Sequence, residues 1–158
     1  MNQFLKVSFE QYEKDRGDGD VAAIEYAGIE LPKRATKGSA GYDFFAPFDI
    51  TLASGEEVRI PTGVKVELDS DKFLACYPRS GLGFKYKIRL ANTVGIIDSD
   101  YFHAENEGHI NIKIRNEGHS SVYIPRGSAF AQGIITQFFA TDDDTANGVR
   151  TGGFGSTG

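Results

Sequence analysis

The chain has 158 residues, of which 40% are hydrophobic and 25% are charged, and its formal net charge is -5. A chain of this length fits one domain, residues 1–158, because a single core of this size buries roughly 68–70% of the surface of the unfolded chain. The negative charge argues against general binding to nucleic acid, which depends on many Lys and Arg side chains that neutralise phosphates. No apolar run approaches the ~18 residues of a membrane span, so we expect neither nucleic acid nor a membrane as a partner.

The N-terminus and the cysteine content indicate the compartment. The first twenty residues contain no basic stretch that leads into an apolar stretch, so a secretory signal is not expected. Cys76 is the only cysteine and cannot form an internal disulfide, which agrees with a reducing compartment. We therefore predict a cytoplasmic protein in which Cys76 is a small buried side chain of a strand.

Short segments rich in β-branched and aromatic residues recur along the chain between Gly, Pro, Asn and Asp residues. Two of them alternate cleanly, with apolar residues at 64, 66 and 68 and again at 110, 112 and 114, which is typical of a sheet with one buried face. A loop is expected at the polar residues 10–20, and the only short helix is expected after Pro78, with Ser80 as its cap. The predicted strands are residues 4–9, 21–26, 41–46, 56–68, 72–77, 88–92, 109–116, 121–127 and 131–139.

The predicted class is all-β with one short helix. The architecture is expected to be a jelly roll or barrel, because an antiparallel sheet must cover its apolar face and protect its edges. Residues 1–20 are interpreted as an N-terminal extension, and residues 141–158 as a linker, TDDDTANG, followed by a C-terminal arm. His103, His109 and His119 lack the spacing of zinc ligands and are interpreted as loop or surface residues.

A first place for chemistry is the stretch YPRSGLGFK, residues 77–85. A strand that breaks at Pro78 and turns through Arg79, Ser80 and Gly81 brings together a guanidinium, a hydroxyl and free backbone N–H groups. Such a place suits a phosphate. The alternative is an ordinary helix N-cap beside a surface Arg, and this segment alone does not decide between the two.

A second place is the stretch LANTVGIIDSDY, residues 90–101, in which an apolar pair leads into Asp98. An Asp that stays ionised at the edge of a cleft can orient and deprotonate a water molecule, whereas Asp100 suits a turn. Two carboxylates so close together are also common ligands of Ca²⁺ or Mg²⁺, although the stretch lacks the Gly and Glu of an EF-hand loop. Both interpretations stay open at this point.

A third place is the C-terminal stretch RTGGFGSTG, residues 150–158. It has the glycine content of a phosphate loop, but it lacks the Gly-Lys-Ser/Thr ending and is not a Walker loop. It is either a frayed terminus or an arm whose Phe ring, backbone N–H groups and hydroxyls close over a nucleotide.

Five segments, in this order and spacing, resemble the motifs of the trimeric deoxyuridine triphosphatase (dUTPase) family. They are SAGYDFFA, PRSGLGFK, ANTVGIIDSDY, RGSAFAQGI and RTGGFGSTG, at residues 39–46, 78–85, 91–101, 126–134 and 150–158. The resemblance implies a β jelly roll that assembles as a homotrimer with active sites shared between subunits. It also implies hydrolysis of dUTP to dUMP and pyrophosphate with Mg²⁺, which keeps uracil out of DNA and supplies dUMP for dTMP synthesis.

The same resemblance implies roles for individual residues. Asp98 matches the general base that activates water for attack on the α-phosphorus. Tyr101 matches the ring that packs under the deoxyribose, where a ribose 2′-OH would collide. The residues that match the uracil-binding hairpin and its returning strand are Asn92, Gly95, Ile96, Ile97 and Asn111. The residues that match phosphate contacts are Arg79, Ser80, Gly81 and Gln132.

The closing arm and the metal are implied in the same way. Phe154 matches a ring over the uracil, and its neighbours match contacts to the terminal phosphates. No direct protein ligand is expected for Mg²⁺, which triphosphate oxygens and water would hold, and Asp43 matches an acidic residue with an indirect role near the metal. The arm residues are Arg150, Phe154, Gly155, Ser156 and Thr157.

The sequence departs from the family pattern in three places. Ala129 stands where the family usually has Arg, so that guanidinium is missing or is supplied by Arg126 or another residue. Residues 102–107, FHAENE, are longer than the usual tight turn. Residues before about Ile24 lie outside the resemblance, and this extension is expected to add a strand or an intersubunit contact.

Two other functions stay open at this stage. A dCTP deaminase has a similar fold, but that family needs a catalytic Glu near the pyrimidine and lacks this tail. A nucleotide-sensing regulatory module would use the same pocket and recruit a protein through segments such as 10–20 or 102–107. As a sole role, sensing would leave Asp98 without a purpose.

Overall fold

The computed structural model describes residues 1–153 of the chain. Within that range there are eleven β-strands, three α-helices and a 3₁₀ helix at Ser99–His103. The α-helices are α1 (Phe9–Arg16), α2 (Gly19–Ala27) and α3 (Ser80–Tyr86). The strands are β1 (Gln3–Lys6), β2 (Tyr42–Phe45), β3 (Ile50–Leu52), β4 (Glu57–Pro61), β5 (Val64–Glu67), β6 (Lys72–Pro78), β7 (Ile88–Leu90), β8 (Gly95–Asp98), β9 (Asn111–Asn116), β10 (Val122–Ile124) and β11 (Ala129–Gln137).

The strands of the described residues pair antiparallel and form four sheets. The largest sheet has the order β2-β11-β6-β8, and a three-stranded sheet has the order β4-β9-β7. Two further sheets pair β1 with β5 and β10 with β3. The all-β prediction is therefore confirmed.

Alternate residues of these strands build the core. Val64 and Val66 on β5 and Ile112 and Ile114 on β9 are at most 4% exposed, so the alternation predicted there is confirmed. Cys76 on β6 is also buried, as predicted. Burial of such apolar side chains contributes the main favourable free energy of folding.

The N-terminal extension adds a strand, β1, as expected, but residues 10–20 are mostly helical, so the prediction of a loop there is wrong. Helix α1 begins after Ser8, whose side chain accepts a hydrogen bond from the N–H of Gln11. It ends at Gly17, whose φ of 89° favours glycine. With only 8 residues in α1, the helix is too short for a helical period to stand out in the sequence.

Helix α2 replaces the strand predicted at residues 21–26, and with three α-helices the prediction of one short helix is wrong. Asp18 accepts a hydrogen bond from the N–H of Val21, and this cap overrides the β propensity of the segment. Buried Glu25 ties α2 to α1, because it accepts hydrogen bonds from Tyr12 and from two nitrogens of Arg16 at 2.8 to 3.0 Å. No helix within residues 1–153 has the length and apolar character of a membrane span.

Helix α3 follows β6 as predicted, but Ser80 is not its cap. Arg79 occupies the N-cap position without a capping hydrogen bond from its side chain, and Ser80 is the first helical residue. None of the residues of α3 is buried. This helix therefore presents its first turn at the surface, next to the end of β6.

The pairing of β6 with its neighbours sets the positions of the candidate residues. Asp98 on β8 lies opposite Phe73, near the start of β6. Gln132 on β11 lies opposite Tyr77, near the end of β6, and Arg79 follows that end directly. Asp98 and Arg79 therefore lie at opposite ends of one strand.

Candidate active site

A first cavity, of about 330 Å³, opens beside the hairpin of β7 and β8 and the start of β9. Its mostly apolar lining includes two amides, those of Asn92 and Asn111. Nδ2 of Asn111 donates a hydrogen bond to the carbonyl of His109 at 3.1 Å, whereas its buried Oδ1 has no hydrogen-bond partner among the described residues. A buried acceptor without a partner is costly, so this oxygen marks a place for an N–H donor of a ligand.

Gly95 and Cys76 form one wall of the first cavity. A Cβ on Gly95 would lie 3.1 Å from the Cβ of Cys76, so glycine keeps this wall flat. Burial raises the pKa of the Cys76 thiol to about 12, so the thiol stays protonated and behaves as an apolar group. Ile97 is buried in the same wall, whereas the side chain of Ile96 is exposed.

Tyr101, in the 3₁₀ helix, is joined to the first cavity through a shared carbonyl. Its hydroxyl donates to the same His109 carbonyl at 2.9 Å and accepts from Nδ2 of Asn106 at 2.7 Å. The side chain is 4% exposed, and burial raises its pKa. The turn that follows the 3₁₀ helix therefore fixes the hydroxyl end of the ring.

Asp98 lies at the end of β8 with half of its side chain exposed. Nη2 of Arg150 donates to Asp98 at 2.6 Å, and Nε of Arg150 donates to Asp100 at 2.8 Å. The same guanidinium lies 5.9 Å from the centre of the Tyr101 ring. The structure thus brings Asp98, Tyr101 and Arg150 together, with the guanidinium paired to both carboxylates.

A second cavity, of about 440 Å³, lies where β2, α3 and β11 meet. Nε of Arg79 donates to Asp43 at 3.4 Å, so Asp43 holds the guanidinium at the cavity. A guanidinium beside a hydroxyl and an amide suits an oxyanion such as a phosphate. The predicted site residues that line this cavity are Asp43, Arg79, Ser80, Gly81 and Gln132.

Two neighbours position Gln132. Its Nε2 donates to the carbonyl of Pro78 at 3.1 Å, and its Oε1 lies beside Gly41. A Cβ on Gly41 would lie 2.3 Å from that oxygen. A side chain at residue 41 would therefore require the amide of Gln132 to shift, which glycine avoids.

Arg126, the residue expected to supply the guanidinium absent at Ala129 if any does, contacts α2 in this structure. Nη2 of Arg126 donates to the carbonyl of Ile24 in α2 at 2.9 Å. Gly28 makes room for this contact, because a Cβ there would lie 2.2 Å from the same Nη2. Arg126 is therefore engaged with the N-terminal helices, whereas Ala129 begins β11 beside a register shift in its pairing with β2.

His109 lies in the loop before β9, in agreement with the prediction, but it is fully buried rather than at the surface. Its Nε2 accepts a hydrogen bond from the N–H of Gly63 at 2.8 Å, and its Nδ1 pairs with Asp15 of α1. Burial lowers the pKa of His109, and the nearby carboxylate of Asp15 opposes that shift only in part. Sequence reasoning missed this residue because Asp15 lies 94 residues earlier in the chain.

Some of the predicted contacts cannot be placed. Phe154, Gly155, Ser156 and Thr157 lie outside the described residues. Within residues 1–153, no group of three or more His, Cys, Asp or Glu side chains could hold a metal ion. That Mg²⁺ has no direct protein ligand stays a prediction.

An all-β fold with two partly polar cavities of this size defines a protein that binds a small ligand. The sequence profile of the dUTPase family matches residues 27–158. The chain therefore belongs to the dUTPase family, and the whole N-terminal extension, residues 1–20, precedes the matched residues.

Individual proteins of known sequence or structure also resemble this chain. The deoxyuridine 5′-triphosphate nucleotidohydrolase of Lactococcus lactis subsp. lactis is 41% identical over 148 residues, which cover 92% of this chain and 99% of that protein. The crystal structure of dUTPase from Streptococcus mutans matches with a TM-score of 0.67 and 31% identity, over 88% of this chain and 98% of that chain. A mutant dUTPase from phage phi11 of S. aureus, whose structure reveals the coordination of a structural Mg(II) ion, matches with a TM-score of 0.66 and 19% identity, over 94% and 97%. The fold expected from the resemblance is confirmed.

Proposed function

We propose that this chain hydrolyses dUTP to dUMP and pyrophosphate. The observation that carries the proposal is the buried, unpartnered Oδ1 of Asn111 in a cavity that adjoins Tyr101 and Asp98. Membership of the dUTPase family supports the same reaction, as does the 41% identity to a deoxyuridine 5′-triphosphate nucleotidohydrolase.

Uracil offers the donor that the first cavity lacks. Its N3–H donates to Oδ1 of Asn111, and its two carbonyl oxygens accept from backbone N–H groups of the hairpin between Asn92 and Ile97. Cytosine has no hydrogen on N3, so it would leave the buried Oδ1 unpaired and bind more weakly. The flat wall at Gly95 lets the ring approach the backbone closely.

Tyr101 packs against the deoxyribose, where a ribose 2′-OH would collide with its ring. The ring cannot withdraw easily, because it is buried and its hydroxyl is bonded to the His109 carbonyl and to Asn106. The same contact that orients the sugar therefore selects against ribonucleotides.

Asp98 orients a water molecule and takes its proton as the water oxygen bonds to the α-phosphorus. The bond from the α-phosphorus to the bridging oxygen breaks, pyrophosphate leaves with the electron pair, and dUMP remains. Arg79 and Gln132 hold the phosphates in line for this attack. Half of the Asp98 side chain is exposed, so water can reach the carboxylate beside Arg150, and the phosphates offer the guanidinium a more highly charged partner.

A bound Mg²⁺ would neutralise charge on the triphosphate. The described residues suit an ion held by phosphate oxygens and water, because no group of three or more His, Cys, Asp or Glu side chains among them could hold it directly. Asp43 takes an indirect part, since it holds the Arg79 guanidinium.

The active site is shared between the subunits of a homotrimer. The strand from Phe73, opposite Asp98, to Arg79 spans roughly 20 Å at ~3.3 Å per residue. One nucleotide whose α-phosphorus lies at Asp98 does not reach Arg79 of the same chain, so a neighbouring subunit supplies the second cavity. Exposed Phe84 and Phe139 offer apolar surface for subunit contacts.

The lining of the first cavity argues against the two other functions. Among the described residues that line it there is no Glu, which a dCTP deaminase would need. A module that only senses nucleotide would have no use for Asp98 beside the cavity. A cytoplasmic location stays a prediction of the sequence.

Pyrophosphate release from dUTP with Mg²⁺ tests the reaction. In Asp98→Asn, turnover should fall by ~10²–10⁴-fold, the usual contribution of a general base, while a non-hydrolysable dUTP analogue should bind nearly as well as to the wild type. Wild-type protein without turnover above background would contradict the enzyme proposal. Equal loss of binding and turnover would contradict the role of Asp98 as base.

A further inference from the structure

Two of the three departures from the dUTPase pattern, the N-terminal extension and the long stretch after Tyr101, contact each other through α1. At the start of α1, the backbone N–H and the hydroxyl of Ser8 donate to Glu107. Near its end, Asp15 pairs with Nδ1 of His109. The turn at residues 104–109 is thus held by two anchors on one helix.

Only one protonation state of His109 satisfies both partners of its ring. The N–H of Gly63 donates to Nε2 at 2.8 Å, so Nε2 carries the lone pair. The proton therefore lies on Nδ1, which donates it to Asp15. Hydrogen bonds to Gly63 and Asp15 therefore fix the neutral ring of His109, and they restrain the backbone of His109 as well.

The carbonyl of His109 carries this restraint to the proposed active site. It accepts hydrogen bonds from the Tyr101 hydroxyl at 2.9 Å and from Nδ2 of Asn111 at 3.1 Å. The backbone carbonyl of Asp15 also accepts from Nη2 of Arg59 at 3.2 Å, and Arg59 lines the first cavity. Asp15 on α1 is therefore linked through His109 to Tyr101, which we place beside the sugar, and to Asn111, which we place beside the base.

We propose that Asp15 is a positioning residue for sugar discrimination, which acts through His109 to hold the Tyr101 ring where a ribose 2′-OH collides with it. The inference rests on the proposed function. Without the Asp15 carboxylate, the buried Nδ1–H of His109 has no partner, and the turn must move to expose it to water. The His109 carbonyl moves with the turn, and the Tyr101 ring gains the freedom to admit a 2′-OH.

The experiment measures kcat/KM for dUTP and for UTP with Mg²⁺. In Asp15→Ala, the KM for dUTP should rise, and the ratio of kcat/KM for dUTP to that for UTP should fall roughly tenfold, as expected when a discriminating contact is loosened. In Asp15→Asn, the amide oxygen can still accept from His109, so the ratio should stay at the wild-type value.

Asp18→Ala is the matched control. Asp18 caps α2 in the same extension, through the N–H of Val21, so its loss should lower the stability of the extension and leave the ratio unchanged. An unchanged ratio in Asp15→Ala, or an equal fall in Asp18→Ala, would overturn the inference.

A second variant covers the case in which Asp15→Ala does not fold. Ser8→Ala removes the hydroxyl that donates to Glu107 at the other anchor and should lower the same ratio by about threefold, the effect of one lost hydrogen bond. An unchanged ratio in Ser8→Ala would overturn the inference. Absence of dUTP turnover in the wild type would overturn the proposed function instead, so the two failures are distinguishable.

Discussion

The first and second cavities differ in how firmly the chain holds their polar groups. In the first, Tyr101 is buried, and its hydroxyl and the Asn111 amide both bond to one backbone carbonyl. In the second, the Arg79 side chain is 47% exposed, and its contact with Asp43 is 3.4 Å long. The surfaces proposed for base and sugar are therefore preformed within one chain. The surface proposed for the phosphates is open, and a second subunit is needed to complete the site.

The largest effect is expected when two inactive variants, one defective beside each cavity, are mixed and their activity is measured. Asp98→Asn removes the base beside the first cavity and Arg79→Ala removes a cation of the second, so each variant alone should be nearly inactive. When the two are unfolded and refolded together at equal concentration, about a quarter of the wild-type activity should return. A shared site then takes Asp98 from one chain and Arg79 from another.

Pyrophosphate release measures this gain. Each variant refolded alone controls for the refolding step, and refolded wild type sets the reference. A mixture as inactive as its components would mean that each site draws Asp98 and Arg79 from one chain.

Inhibition by two fragments of the substrate should separate the cavities. Asn111→Ala should weaken inhibition by deoxyuridine roughly tenfold, because the base N–H loses a buried acceptor, and should leave inhibition by pyrophosphate unchanged. Gln132→Ala should weaken inhibition by pyrophosphate and leave inhibition by deoxyuridine unchanged. The loss should be only about threefold, because water can replace an amide in an open cavity. Inhibition constants for both fragments check this, and parallel losses in both variants would contradict two separate cavities.

One methyl group at Gly41 should disturb the second cavity alone. The new Cβ would lie 2.3 Å from Oε1 of Gln132, so the amide has to move from its bond to Pro78. In Gly41→Ala, the KM for dUTP should rise about twofold to threefold, while inhibition by deoxyuridine stays constant. Gly38→Ala is the control, because nothing lies within 4 Å of a Cβ at that position, and an equal effect there would show that the loop rather than Gln132 matters.

The smallest expected effect is the pH dependence of the stability that Asp15 contributes next to the first cavity. Burial raises the pKa of Asp15, but hydrogen bonds from Gln11 and His109 outweigh it and hold the net pKa below its ordinary value of 3.8. The folded state thus binds fewer protons than the unfolded state, so this contribution to stability is present above that value and is lost as the pH falls through the folded pKa. Urea unfolding at fixed protein concentration should show a larger advantage of wild type over Asp15→Asn at neutral pH than at about pH 3; an advantage independent of pH would contradict it.

Most of the strands were predictable from local alternation and turn residues, but β3 and β8 lie outside the predicted strands, and residues 56–68, predicted as one strand, form β4 and β5. The apolar alternation at residues 110–114 lies on β9, and the break at Pro78 ends β6 as the sequence indicates. Asn92, Asp98, Tyr101 and Asn111, which we assign to base, sugar and water, come from one hairpin and the returning strand. Of these residues, Asn92 and Asn111 line the first cavity, and Tyr101 bonds to the same His109 carbonyl as Asn111.

Contacts between distant segments were not predictable in this way. Helices α1 and α2 depend on the caps at Ser8 and Asp18 and on contacts between the two helices, because such short helices are marginal alone. His109 is buried against Asp15 of α1. The pairing of Arg150 with Asp98 joins residues 52 positions apart, and no local rule of sequence indicates that the guanidinium rests on the carboxylate of its own chain.

The contact between α1 and the turn at residues 104–109 also bears on the ancestry of the chain. A descendant that lost α1 and kept the long turn would leave the buried Nδ1–H of His109 without its partner and Glu107 paired with Lys65. A descendant with α1 and the tight turn would leave Ser8 and Asp15 without their contacts in the turn. We therefore expect that transplanting the two segments into a relative that has neither succeeds only when both are moved together.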